Sequence, residues 1–275
     1  MSQNRVHYRG GRIFNGNTVL CGHSLVVEDG LVVSLAPSAD TDEGVVVELE
    51  GDLLAPGFVD LQVNGGGGVM FNHTPCVGTL RVMAEAHRRL GSAAILATLI
   101  TDRAEVTTAA IAAVERAVAE GVEGIAGLHL EGPHLSVARK GAHDGSLIRV
   151  MSDADLAELC EAARRLPALM VTVAPESVTT AQVEALVDAG AIVSLGHTDA
   201  GYDTCVEFMS AGARCVTHLF NAMRQLGSRE PGLVGAALRT PRVSAGVIAD
   251  GVHVHPLTLQ TLWTAKHPEG RLFLV

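Results

Sequence analysis

The stretch GLHLEGPHLS, residues 127–136, decides how this chain is read. Gly127 to Leu130 has the character of a buried strand with one histidine in it. Glu131 stands where that strand should end, followed at once by Gly132-Pro133. A glutamate in a solvated loop costs nothing, but the mouth of a core strand is partly desolvated, and a charge there needs a partner. The partner has to be sought elsewhere in the chain.

From Phe58 onward, apolar runs alternate with helical patterns. The runs are FVDLQVN (58–64), AAILATLIT (93–101), GIAGLHLEG (124–132), LMVTVAPE (169–176), AIVSLGHT (191–198), RCVTHLFN (214–221), SAGVIADG (244–251) and RLFLV (271–275). Helices are predicted over 152–166, with Ser152 as N-cap and Leu156, Leu159, Cys160, Ala163 and Leu166 on one stripe, and over 180–190, ending at Gly190. A third lies between the prolines at 256 and 268, with Leu259, Leu262, Trp263 and Lys266 on one side. Eight strands alternating with helices predict an α/β fold of (β/α)8 TIM-barrel type. A doubly wound open sheet is the alternative, but no G-x-G-x-x-G follows the first strand; NGGGGVMFN (64–72) lacks that spacing. The first 55 residues differ: RIFNG, SLVVEDGLVVSLAP and GVVVELEGDLLAPGF are short β-rich runs, with a hairpin turn at 28–30. A small β-domain, part of a β-sandwich, is therefore expected over 1–55, and the barrel over 56–275.

Composition narrows the function. The chain has 275 residues, 48% of them hydrophobic, enough for one large core. The net charge of −10, with lysine only at 140 and 266, argues against nucleic-acid binding. Five cysteines without a CxxC read as reduced thiols in a cytoplasm. No signal core and no apolar run of spanning length is present, so neither secretion nor a membrane is expected.

In a barrel, reactive groups sit at the C-terminal ends of strands. Those ends carry Gln62, Asn64, Thr98, Thr101, His129, Glu131, Glu176, His197, His218, Asn221, Asp250 and His253. Glu131, His197 and His218 each follow a short apolar run, and one carboxylate with two imidazoles is a ligand set for a catalytic metal that leaves a place for water. Zn2+ is the first expectation; Fe2+ accepts the same donors. So the partner of Glu131 is expected to be a cation. His129 shares Glu131's face by strand period and reads equally as a ligand or as a core histidine; Asp60 and His134 read as structural.

PGFVDLQVNGGGG, GLHLEGPHLS with KGAHD, SLGHTDA, THLFNAM, GSREPGLVGAAL and IADGVHVHP resemble, in order and spacing, the N-acetylglucosamine-6-phosphate deacetylases of the amidohydrolase superfamily. The resemblance covers essentially the whole chain. It implies a barrel with a small β-sandwich built from both chain termini, a homodimer, and hydrolysis of the acetamide of N-acetylglucosamine 6-phosphate to glucosamine 6-phosphate and acetate. It implies Glu131, His197 and His218 as metal ligands. Gln62-Val63-Asn64 replaces the H-x-H that holds a second metal elsewhere in the superfamily, and no lysine stands at a strand tip, so one metal is expected, with Gln62 and Asn64 behind the ligands. By the same resemblance His143 polarises the amide carbonyl, Asn221 and Ala222 contact phosphate, His253 contacts the sugar, and Arg229 reaches across the dimer to the neighbouring site.

The resemblance also implies an aspartate, in a Thr-Asp pair just past the eighth strand, as general acid/base, and the sequence stops there at Val275. Asp250 is no ready substitute, since it belongs to the element that positions His253. The expectation is a truncated chain, with barrel and sandwich incomplete at the C-terminal end and turnover poor, because losing a positioned acid/base costs about 10²–10⁴-fold. Two other readings stay open: another single-metal amidohydrolase, such as a cyclic amidase or nucleobase deaminase, and a catalytically dead protein that binds metal or sugar phosphate.

Overall fold

The computed structural model describes residues 5–37 and 44–275. It divides into two compact units, Met1–Phe58 and Val59–Val275.

The first unit is all β. One sheet runs in the order Leu31–Pro37, His23–Glu28, Arg5–Arg9, Val45–Glu48; a second joins Val19–Cys21, Arg12–Phe14 and Leu53–Leu54. The turn expected at 28–30 is present. Glu28 pairs with Leu31, and Asp29 and Gly30 between them both have positive φ (50° and 81°), as a two-residue hairpin turn of the right twist requires.

The second unit holds eight parallel strands: β1 (Phe58–Val63), β2 (Ser92–Ile100), β3 (Ile125–Glu131), β4 (Leu169–Val173), β5 (Ile192–Leu195), β6 (Cys215–Val216), β7 (Ser244–Val247) and β8 (Leu272–Leu274). They neighbour one another in chain order. Helices follow the first seven: α1 (Val77–Arg88), α2 (Ala104–Ala119), α3 (Asp153–Arg165), α4 (Thr180–Asp188), α5 (Tyr202–Ser210), α6 (Gly232–Arg239) and α7 (Pro256–Ala265). The main core packs helices on strands, and a smaller cluster of Leu96, Met170 and Cys215 with Leu61, Ile192 and Phe273 fills the space between the strands. Every residue of β4 is buried, as expected for a parallel strand covered on both faces.

The expectation of a barrel incomplete at its C-terminal end is corrected by this sheet. No strand of it is missing: β8 pairs with β7 through Ala245↔Leu272, Gly246↔Phe273 and Val247↔Leu274. Three residues suffice because a parallel ladder needs only its neighbour's backbone, and Phe273 packs on the inner cluster.

Local chemistry sets the helix ends. Ser152 accepts from the Asp155 amide at 3.2 Å while the Asp155 carboxylate accepts from the Ser152 amide at 3.0 Å, a full capping box. Thr179 and Gln182 do the same for α4, which ends before Gly190 at φ +100°. On α7 the expected stripe splits: Leu262 is buried, but Trp263, one residue further round the helix, is 77% exposed.

Candidate active site

Glu131, His197 and His218 come from the ends of β3, β5 and β6 and meet at one point. Glu131 Oε1 lies 3.0 Å from His197 Nε2 and 2.8 Å from His218 Nε2, and the two nitrogens are 3.1 Å apart. All three side chains are buried. Both histidines adopt left-handed backbone, with φ of 46° and 31°, a conformation rare for side-chain-bearing residues and concentrated at functional sites. It lets the chain turn sharply off the strand, so each imidazole reaches back toward Glu131.

Hydrogen bonds behind the triangle settle what it can hold. His197 Nδ1 is 2.8 Å from the Arg139 carbonyl. A carbonyl only accepts, so in the neutral ring Nδ1 carries the proton and Nε2 presents a lone pair. That lone pair faces a carboxylate oxygen at 3.0 Å. Two acceptors so placed repel unless positive charge lies between them. A carboxylate and two imidazoles suit a divalent cation, and their spacing suits bonds of about 2.0–2.1 Å. Glu131 Oε2 is held separately by the Gln62 amide at 3.1 Å, which leaves Oε1 alone for the triangle. Burial alone would raise the Glu131 pKa; the surrounding imidazoles of His143, His197 and His218 outweigh it and keep the group well below the usual carboxylate range, so Glu131 is an anion that needs a positive partner.

His143 approaches from the loop after β3. Its Nε2 is 3.9 Å from Glu131 Oε1, and its ring sits edge-on to His197 with centroids 4.4 Å apart. Glu131, His143 and His197 also offer ligand atoms within 4.8 Å of one another. Four side chains thus stand around one centre, and three make the tighter triangle.

These groups line an open cavity of about 550 Å³ that also takes in Gln62, Asn64, Asn221, Ala222 and His253. Residues 53–269 of the chain match the Amidohydrolase family. The chain belongs to the amidohydrolase family.

This amidohydrolase is 44% identical over 249 residues to the N-acetylgalactosamine-6-phosphate deacetylase of Shewanella sp. (strain ANA-3), a match covering 90% of this chain and 63% of that protein. It is 36% identical to the N-acetylglucosamine-6-phosphate deacetylase of Haemophilus influenzae, over 88% of this chain and 64% of that one. The chain therefore spans a little under two thirds of the length of these relatives. The crystal structure of N-acetylglucosamine-6-phosphate deacetylase from Pasteurella multocida, 34% identical, superposes on 98% of this chain and 71% of its own, with a TM-score of 0.93. Agreement over 98% of this chain overturns the expectation of a fold cut short within it.

The remaining expected residues of the amidohydrolase fall in different places. His253 is exposed at the cavity edge, its Nδ1 donating to Asp250 at 2.7 Å. The Asp250 carboxylate also accepts from the amides of His253 and Val252. These bonds, the His253 amide's first, hold its pKa at about 2. Among the described residues lining the cavity, Glu131 is the one carboxylate. Arg229 is exposed and does not line this chain's cavity. Asp60 accepts from the Gln62 amide, and buried His134 contacts the Arg149 carbonyl at 3.1 Å.

His129 is not a ligand, because both its nitrogens are occupied. Nδ1 donates to the Leu61 carbonyl at 3.0 Å, and Nε2 accepts from Thr172 Oγ1 at 2.7 Å. Thr172 meets Thr217, and Thr217 meets Ser194, each at 2.7 Å, so a chain of buried polar groups runs beneath the metal-type triangle. Sequence reasoning assigned none of these hydroxyls a role, although VTV, CVTH and IVSL place each inside an apolar run. It also missed Asp199, which binds Arg139 at 2.7 Å and Arg224 at 2.7 Å and so ties down the segment whose carbonyl orients His197.

Burial pushes the His129 pKa down to about 4, against about 6.5 in an unfolded chain. Between those values the unfolded chain binds a proton that the folded chain refuses, so stability falls as pH drops from about 6.5 to about 4. The expected loss is about 3 kcal/mol over that window. Urea unfolding at pH 7 and pH 4.5 checks this: His129→Gln should show a shallower pH dependence, and equal slopes would remove His129 as the cause.

Proposed function

We propose that this chain hydrolyses the acetamide of N-acetylglucosamine 6-phosphate to glucosamine 6-phosphate and acetate, in the breakdown of amino sugars. The observation that carries the proposal is the buried triangle of Glu131 Oε1, His197 Nε2 and His218 Nε2, with His143 beside it on one cavity. These three side chains would hold a single divalent cation, Zn2+ by first choice with Fe2+ acceptable to the same donors. Such an ion supplies Lewis acidity and makes water a nucleophile near neutral pH.

The chain's own residues do the rest. Gln62 fixes the Glu131 carboxylate, with Asn64 behind it, and His143 holds the acetyl carbonyl oxygen as negative charge develops there. Asn221 and Ala222 receive the phosphate, and His253 contacts the sugar. The working unit is a homodimer in which Arg229 of the partner subunit completes the phosphate site; a guanidinium fork suits that task because it donates two parallel hydrogen bonds. The protein works in the cytoplasm. In support, its five cysteines are free and no described helix is long and apolar enough to cross a membrane.

A second reading has its own support: the 44% relative is an N-acetylgalactosamine-6-phosphate deacetylase, so the C4 epimer is an alternative substrate. One panel separates them. Acetate release is measured from both N-acetylhexosamine 6-phosphates and from unphosphorylated N-acetylglucosamine, with dihydroorotate ring opening alongside. A higher kcat/KM for the galacto sugar assigns the second reading. Equal rates without phosphate, or turnover of dihydroorotate, would remove both. Chelation should stop acetate release, and Zn2+ should restore it while raising the unfolding free energy by about 2.7 kcal/mol at a hundredfold excess over Kd.

A further inference from the structure

We infer that Thr101, at the end of β2, is a positioning residue that fixes which nitrogen of His143 carries the proton, and so makes His143 a hydrogen-bond donor to the substrate carbonyl rather than a fourth metal ligand. The inference rests on the deacetylase reading for the identity of that carbonyl; the assignment of the proton does not.

Around the cavity, ring chemistry alone does not say which histidines bind a cation. His143 stands close enough to Glu131 and His197 to compete for the same ion. The partners of the Nδ1 atoms separate His143 from His197. His197 Nδ1 faces the Arg139 carbonyl and must donate, which leaves Nε2 bare and able to ligate. His143 Nδ1 faces the backbone N–H of Thr101 at 3.2 Å. An amide N–H only donates, so this Nδ1 must accept, and the neutral ring carries its proton on Nε2. The Thr101 hydroxyl, 2.7 Å from the same nitrogen, adds a second donor. Nε2–H lies 3.9 Å from Glu131 Oε1 and faces the cavity as a donor. One residue thus supplies two donors to a single lone pair.

The chain makes room for this arrangement. A Cβ on Gly132 would lie 2.2 Å from Thr101 Oγ1, and the residue sits at φ +90°, where other side chains are strained. The glycine after Glu131 therefore both turns the chain off β3 and leaves the space in which the Thr101 hydroxyl reaches His143.

The test is a two-bond 1H–15N spectrum of the full chain saturated with Zn2+, with His143 assigned by the signals lost in His143→Gln. The expected result is a pyridine-type shift for Nδ1 and a pyrrole-type shift for Nε2; a pyrrole-type Nδ1 overturns the inference. Thr101→Val should lower kcat for acetate release about three- to tenfold with KM within about twofold and the metal content unchanged, while Thr101→Ser stays within about twofold of the parent. An unchanged kcat in the valine variant, or loss of metal from it, also overturns the inference. If the parent releases no acetate from any amino-sugar phosphate, the deacetylase reading fails, and the nitrogen shifts still decide for or against Thr101.

Discussion

Glu131→Gln should leave a folded chain that no longer retains a divalent cation and that releases acetate more than about a thousandfold more slowly than the parent. The magnitude follows from what the cation does, since a catalytic zinc brings the pKa of water from 15.7 to about 7. The amide keeps the shape of the carboxylate and removes its charge. His197 and His218 then face each other at 3.1 Å with no anion to offset a dication in a buried place. The Gln62 amide that donates to Oε2 at 3.1 Å holds the new side chain's oxygen at that position, so its NH2 takes the place of Oε1 and offers the cation no lone pair. Metal per chain after gel filtration, acetate release and far-UV circular dichroism measure the three parts of this expectation. One metal per chain with near-parental turnover would remove Glu131 from the centre.

His143→Asn should behave differently. It should lower kcat by about 10²–10³-fold, the usual cost of removing one donor to a developing oxyanion, with one metal per chain retained. Asparagine is too short to bring a donor to the position of Nε2, and the Thr101 amide and hydroxyl lose their acceptor. The contrast between the two variants is what matters: a ligand takes the metal with it when it is lost, and a donor to substrate does not. Metal loss in His143→Asn equal to that in Glu131→Gln would place His143 among the ligands and Thr101 outside the chemistry.

Which groups stand at the mouth of the strands could be read in the sequence, for a physical reason. A charged or imidazole side chain at the tip of an apolar run has to be compensated, and Glu131, His197 and His218 are each a strand-tip residue of that kind. The hydrogen-bond partners of these residues and of His143 were not readable in the same way. Arg139, whose carbonyl orients His197, is 58 residues away, and Thr101 is 42 residues from His143. No periodicity links such positions. His129 shows the limit most clearly: strand period puts it on the face of Glu131, but only its contacts with Leu61 and Thr172 exclude it as a ligand.

The order of apolar runs and helical stripes, by itself, determined that this chain forms parallel strands with helices between them, and which acidic and imidazole groups stand at the strand ends. That information is local, because burial and side-chain period act over a few residues. Only the tertiary structure decided that β8 joins the sheet, that His197 and His218 turn through left-handed backbone to meet Glu131, and which ring nitrogens hold their protons. Those outcomes depend on strand register and on where loop carbonyls and amides come to rest, and both are set by packing between segments far apart in the chain.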